Sequence, residues 1–332
     1  MVEIDGSYGE GGGQILRTAL ALASITQKEV KIKKIRANRT PPGLKNQHLT
    51  VARAVRKICR GELEGDFLGS TEISFKPGQI VGGNYEFNIG TAGSITLLFQ
   101  AILPILLYAN KPSEVTAIGG THVKKSPTWE YFENVFLRAL NNMGVEAAGK
   151  LLAPGYYPEG GGRAILFVKP SIPKKTEFWP AGEHVRAVIR IANLPMHVAV
   201  REKKIFFEHG FEDVSIIEDK IPRAGNAVTA WKGLVGGSSV GERGKRAEEV
   251  ANEALEDILK DNADVDRHLA DQLMLYGVLA NGIRYRTTEI TEHARTNAYI
   301  IKMFLENKIK FEGNEVCMGQ RPRAKALGLH NV

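Results

Sequence analysis

A glycine-rich pentapeptide, EGGGQ at residues 10–14, returns as EGGGR at residues 159–163, and around both copies short β-rich runs alternate with amphipathic helical ones. Such alternation is the pattern of an α/β (α+β) chain, and its return together with the glycine turn points to duplication of one structural unit. A first unit reads as strand Val2–Asp5, glycine turn, helix 14–24, strand 30–36, helix Asn46–Cys59 and two strands through Ile73 and Phe87. After an apolar helix, a second unit has strand 114–118, helix 128–143 and strands near Lys150 and Ile165. The texture changes between residues 184 and 264, where a strand-like VRAVIRIANL, a KKIFFE segment, a glycine-rich loop GLVGGSSVGERG and an acidic helix RAEEVANEALEDILK form an inserted small α/β domain. A third copy follows, with helices HLADQLMLYGVLA and ARTNAYIIKMFLE and strands RYRTTEIT and KIKFEG. The expectation is a main domain, residues 1–183 and 265–332, of three βαβαββ-like units, interrupted by a domain at 184–264.

At 332 residues, with 43% hydrophobic and 24% charged, the chain has enough apolar mass to bury a core without staples, and roughly 150 residues per domain gives about two domains. Cys59 and Cys317 form no CxxC pair and no cluster of zinc spacing, which excludes a disulfide framework and a zinc finger and fits a reducing, cytoplasmic location. The longest apolar stretch, residues 95–109, is interrupted by Gln100 and Pro104 and falls short of the roughly 20 residues that cross a bilayer, so it reads as a buried helix. The acidic, glycine-rich start does not read as a secretory signal, and no membrane association is expected.

Charge is concentrated. Residues 1–60 carry twelve Lys/Arg against four Asp/Glu, or +8, while the whole chain is +7. A surface of that kind suits a polyanion, because each neutralised phosphate releases condensed counterions; it equally suits a solvated basic helix and strand edge.

The segment DGSYGEGGGQILRTALALAS sets a flexible turn directly ahead of an apolar-faced helix. Free backbone N–H groups and the helix dipole favour an anion there, although a tight strand-to-helix connection would need the same glycines. It is neither a Walker loop, lacking a following Lys-Ser/Thr, nor GxGxxG, because Gln14 stands where the third glycine would fall. Glu10 in such a turn argues for a divalent cation between the carboxylate and bound phosphates. Arg17, Arg36 and Arg39 are candidate phosphate forks; singly each reads as a surface residue, but they cluster with Gln47 and His48 around a proline-bounded loop. His293, in TEHARTN, lies where a helix starts, and a helix N-terminus lowers an imidazole pKa. A neutral imidazole can attack phosphorus, whereas a capping or packing histidine is the plainer reading. No GxSxG elbow, HExxH or kinase signature occurs.

Taken in order, IDGSYGEGGGQILRTALALA, RANRTPPGLKNQHL, TAGSITLLFQAILP, GYYPEGGG, LADQL and EHARTN resemble the RNA 3'-terminal phosphate cyclases across nearly the whole chain. The resemblance implies a main domain of three similar repeats with a smaller α/β domain inserted before the third. It implies ATP-dependent conversion of an RNA 3'-phosphate to a 2',3'-cyclic phosphodiester through histidine-AMP and RNA-adenylate intermediates. On the matching motifs, it assigns the nucleophile to His293, a metal contact (Mg²⁺ or Mn²⁺) to Glu10, phosphate-end and catalytic roles to Arg17, Arg36, Arg39 and Gln47, and nucleotide contacts to Gln100, Pro127 and Asp271. His268 falls where relatives can place a tyrosine beside the nucleotide, and imidazole stacks less extensively. The expected partners are ATP and RNA with a 3'-terminal phosphate, and a homo-oligomer is compatible with the sequence. Two other functions stay in view. A catalytically inactive cyclase-like RNA-binding ribosome-assembly factor would lack the nucleophilic histidine; an enolpyruvyl transferase would share repeated β/α units, and fold alone does not decide function.

Overall fold

A computed structural model of the protein describes residues 1–179, 182, 184–260, 263–306 and 309–319. The expected domain boundary at Glu183 and the stretch from residue 320 onward lie outside the described residues.

The chain opens with β1 (Val2–Asp5), α1 (Gly13–Thr26), β2 (Val30–Lys33), α2 (Asn46–Cys59), β3 (Glu62–Glu64) and β4 (Ile73–Lys76). Next come β5 (Asn84–Asn88), α3 (Ile95–Leu106), β6 (Ser113–Gly119), a helical stretch made of α4 (Trp129–Tyr131), a π-helical segment Phe132–Leu137 and α5 (Arg138–Asn142), then β7 (Ala147–Ala153) and β8 (Gly162–Val168). A short β9 (Thr176–Glu177) precedes β10 (Arg186–Ala192), α6 (His197–Glu208), β11 (Asp213–Glu218), β12 (Gly225–Lys232), β13 (Val235–Val240) and α7 (Ala247–Leu255). The described chain ends with α8 (Arg267–Leu279), β14 (Ile283–Arg286), α9 (Glu292–Phe304), β15 (Ile309–Glu312) and β16 (Glu315–Met318).

These strands form mixed four-stranded sheets. Three have the orders β1-β2-β4-β3, β5-β6-β8-β7 and β9-β14-β16-β15, each with its first two strands parallel and the remaining pairs antiparallel. The fourth, β11-β10-β12-β13, lies between β9 and α8 in sequence and combines one parallel with two antiparallel pairs. Phe87 therefore sits in the second sheet rather than closing the first unit, because β5 pairs in register with β6. Likewise the third sheet begins before the 184–264 segment, through a two-residue strand that pairing alone reveals.

Helix α1 is rich in Leu and Ala, both strong helix formers, and is buried on nearly every side, as befits a helix surrounded by α2, α3 and α9 rather than one lying on a surface. Leu16, Leu20, Val55, Phe99, Leu273 and Ile301 belong to the core it shares with those helices and α8. A separate hydrophobic cluster, including Ile189, Phe206, Val228 and Val250, lies within residues 185–263.

The stretch GLVGGSSVGERG, expected as a loop, contributes β13. Its glycines serve close approach: a Cβ on Gly237 would fall 2.2 Å from the Ala254 carbonyl oxygen on α7. Gly237→Ala is accordingly expected to cost about 1–3 kcal/mol, since backbone cannot yield as a flexible side chain does, and a denaturant titration showing an unchanged midpoint would refute that packing account.

Candidate active site

The first turns of α1, α2, α8 and α9 converge on one cleft of about 980 Å³. Gly13, Gln14 and Arg17 of α1, Gln47 and His48 of α2, His268 and Asp271 of α8 and His293 of α9 all line it, so the positive ends of four helix dipoles face a common space. Gly12, at the start of α1, offers no side-chain cap, which leaves backbone N–H groups at that end free for an anion. The glycines hold left-handed conformations at Gly9 (φ 56°) and Gly11 (φ 58°), letting the turn fold over α9 and bring Glu10 to His293.

His293 lies one residue inside α9, whose N-cap Thr291 accepts a hydrogen bond from the Ala294 N–H at 3.1 Å. Its ring is held on both sides. Gln14 donates through Nε2 to the His293 carbonyl at 3.1 Å, which fixes the amide so that Oε1 faces Nδ1 in a short contact. An amide oxygen only accepts, so Nδ1 carries a proton and Nε2 is the nitrogen turned toward the cleft. Nε2 points at Glu10 Oε2, 3.0 Å away, and Arg39 Nη2 approaches the same oxygen at 3.7 Å. Burial lowers the His293 pKa; Glu10 opposes that, while Arg17, His268 and Arg39 reinforce it. The balance lowers the pKa, so the Nε2 proton is given up more readily and the lone pair becomes available to an electrophile that displaces Glu10.

Arg17, one turn into α1, has its pKa lowered by burial to about 10 and still carries its charge at neutral pH, with Asp271 of α8 as the opposing influence. Asp271 is itself pushed up to about 8 by burial, Asp266 and Glu10 acting with it and Arg17 against. Water reaches the floor of the cleft, yet protein surrounds the carboxyl. At neutral pH Asp271 therefore leaves the Arg17 charge available to an incoming anion.

The remaining candidates also line the cleft. Arg36 is buried and its Nη1 donates to the Pro41 and Gly43 carbonyls at 3.1 and 2.7 Å, so part of its fork secures the proline-bounded loop. Gln47 accepts from the Ser94 N–H at 3.0 Å and ties α2 to the start of α3. Gln100 donates to Gln272 Oε1 at 2.9 Å, and the Pro127 carbonyl accepts from the Thr96 hydroxyl at 2.8 Å. His268 stands exposed on the rim.

Other residues that matter to this geometry were not picked from the sequence. Gln14 and Thr18 are buried polar positions four apart in a mostly apolar helix. That spacing, which puts both on one face, was the available signal. Asn297 accepts from the Thr18 hydroxyl at 2.8 Å and donates to the Asp271 carbonyl at 2.9 Å, clamping α1, α8 and α9 together. His48, which the sequence placed beside the arginines without a role, is held neutral, its pKa lowered to about 3 by burial and by Arg17, Arg36 and Lys45. Asp266 caps α8, accepting from His268 and Leu269 N–H while also receiving the Tyr131 hydroxyl and the Gly236 N–H, which anchors that helix end at the cleft.

Among the described residues no group of three or more His, Cys, Asp or Glu could cage a metal ion. Glu10 and Asp271 are the carboxyl groups on the described cleft wall. One carboxylate beside phosphate-binding cations fits Mg²⁺ or Mn²⁺, with Mg²⁺ in particular tolerating one or two carboxylates plus substrate phosphates and water. No helix among the described residues is long and apolar enough to cross a membrane.

A relative from Archaeoglobus fulgidus named RNA 3'-terminal phosphate cyclase is 47% identical over 95% of this chain and 99% of its own length. A second of the same name, from Methanosarcina barkeri, is 44% identical over 95% of this chain and 98% of its own. Among solved structures, the enolpyruvyl transferase NikO from Streptomyces tendae aligns over 49% of this chain and 32% of that one with 13% identity and a TM-score of 0.29, a likeness too slight to carry an argument. The family described as RNA 3'-terminal phosphate cyclase matches residues 8–311, and on that match and those identities the chain belongs to the RNA 3'-terminal phosphate cyclase family.

Proposed function

We propose that this protein is an ATP-dependent RNA 3'-terminal phosphate cyclase that works through a histidine-AMP intermediate. The observation that carries the reading is the His293 ring, held at Nδ1 by Gln14 with Nε2 turned into a cleft that Arg17, Arg36 and Arg39 line. In the first step Nε2 attacks the α-phosphorus of ATP; the P–N bond forms, the bond to pyrophosphate breaks, and the proton stays on Nδ1, hydrogen-bonded to Gln14 Oε1, as the ring becomes cationic. Arg17, Arg39 and the helix N-termini stabilise the departing charge. Glu10 would hold a Mg²⁺ or Mn²⁺ ion, which supplies further neutralisation of the phosphates. An oxygen of the RNA 3'-phosphate then takes AMP from the histidine, breaking P–N and forming an anhydride. The adjacent 2'-OH attacks the terminal phosphorus, the anhydride P–O bond breaks to release AMP and the hydroxyl proton passes to solvent, helped by the effective concentration of an intramolecular nucleophile.

Within this reading Gln100, Pro127, His268 and Asp271 contact the nucleotide, while Arg36 and Gln47 shape the phosphate end. The three sheets of like order are the repeated units of a main domain, and residues 184–264 are the insert. A cytoplasmic enzyme is the accompanying expectation.

Incubation with α-labelled ATP and Mg²⁺ tests the proposal. The expected product is an acid-labile, base-stable label on the protein, which a 3'-phosphorylated oligoribonucleotide discharges as it becomes resistant to phosphatase. RNA binding with no label at any divalent metal would instead favour the inactive assembly-factor reading, which the presence of His293, Glu10 and Arg17 in one cleft disfavours.

A further inference from the structure

We infer that Tyr8, backed by Tyr299, is a stacking shelf for a base at the 3' end of the RNA, outside the nucleotide cleft. The inference rests on the cleft being the site where an RNA end reacts.

The glycine turn runs along α9 in register: Glu10 meets His293, Gly9 lies against Thr296, and Tyr8 stacks on Tyr299. The two tyrosine rings are 3.9 Å apart between centroids and 16° from parallel. Tyr299 lies six residues after His293, about 9 Å along the helix at 1.5 Å per residue, so the pair stands within reach of the last two nucleotides of an RNA whose end sits at His293. Tyr8 remains 43% exposed although one ring face is covered, which leaves the other face open to solvent.

Holding the loop is not what this aromatic pair is needed for. Tyr8 N–H donates to the Asp5 carbonyl at 3.3 Å, Gly11 N–H donates to the Tyr8 carbonyl at 3.0 Å, and Asn38 Nδ2 donates to the Ser7 carbonyl at 3.3 Å. The backbone is thus fixed on both sides of a ring whose second face stacks on no other aromatic ring among the described residues. Single-stranded RNA ends are bound by stacking unpaired bases on such rings, a contact that tolerates any base because each has a π-face. Cationic Arg39, close to Glu10, borders the route from the shelf to the cleft and suits the intervening phosphate.

The test is the equilibrium affinity of the full chain for two fluorescent 3'-phosphorylated oligoribonucleotides, one intact and one abasic at its last two nucleotides. The wild type is expected to bind the intact end about tenfold more tightly, in the range that base stacking supplies. Tyr8→Leu is expected to erase that preference by weakening only the intact oligonucleotide, and Tyr8→Trp to retain it. No preference in the wild type, a preference that survives Tyr8→Leu, or an equal loss for both oligonucleotides would each overturn the inference, the last by assigning Tyr8 to loop structure. Because binding is read without ATP, absence of covalent labelling would count against the chemistry while leaving the shelf standing, and the reverse result would do the opposite.

Discussion

His293→Ala is expected to leave no covalent nucleotide on the protein, and Gln14→Leu to slow its attachment about a hundredfold in a chain that still folds. The first loses the nitrogen to which the proposed P–N bond forms. The second acts on the proton. With Gln14 in place, Oε1 accepts from Nδ1–H and competes with Glu10 for the single proton of the neutral ring; without it, Glu10 Oε2 at 3.0 Å is the acceptor that remains, and it draws the proton onto Nε2. The attacking lone pair is then on the wrong side of the ring, a tautomer fault that in other histidine-dependent enzymes costs roughly two to four orders of magnitude. Leucine keeps the buried volume at this nearly covered position, so the fault is electronic rather than a collapse of α1. Single-turnover labelling separates the two variants, and nitrogen chemical shifts of His293 report the tautomer directly. Full-speed labelling by Gln14→Leu would remove the positioning role. A pH profile supplies a second check: burial holds the ring below its ordinary value of 6.5, so wild-type labelling is expected to stay level through neutral pH and to fall only below that value, as the ring gains its second proton.

What the chain announced in advance and what it concealed divide along a physical line. The bounds of α2 and the buried course of α3 follow from local periodicity, because an apolar stripe and its flanking polar residues lie within a dozen consecutive positions. Strand β9 does not: two residues, Thr176 and Glu177, become a strand only because β14, more than a hundred positions later, offers its edge. The same holds for β13, where GGSSV carries the composition of a loop and is made a strand by α7 pressing against bare glycine. In the cleft, His293, Glu10 and the arginines were legible as residue types that do phosphate chemistry. Their arrangement was not. Arg36 looks like Arg39 in sequence, yet its guanidinium secures loop carbonyls. Gln14 read as a failed glycine, since nothing local shows that its amide spans 279 positions to reach both the carbonyl and the ring of His293.

Asp271→Asn is expected to raise the melting temperature of the ligand-free protein above neutral pH while weakening its hold on ATP. The Asp271 pKa is raised from 3.8 to about 8 in the folded chain, chiefly by burial. Below 3.8 both folded and unfolded states carry the proton and the group has no effect on stability. As pH rises from there toward about 8, the unfolded state releases the proton and the native state does not, so stability falls throughout that interval and the full cost is present above it. At about 1.4 kcal/mol per unit the upper bound is on the order of 5 kcal/mol, reduced by the water that reaches the cleft floor. Asparagine matches the shape and needs no proton. Among the described residues the Asp271 carboxyl accepts no hydrogen bond, so the exchange severs nothing that the native fold relies on; its backbone carbonyl keeps Asn297. The gain in melting temperature is therefore expected to be nil near pH 3.8, to grow with pH and to level off above about 8, whereas Glu202, also raised, to about 7, contributes equally to both proteins and cancels in the difference. A melting temperature at or below wild type in alkaline buffer would sink this account. The opposite effect on ATP follows if the carboxyl is kept at a cost to stability because it touches the nucleotide, which makes the cleft a place where stability is exchanged for binding.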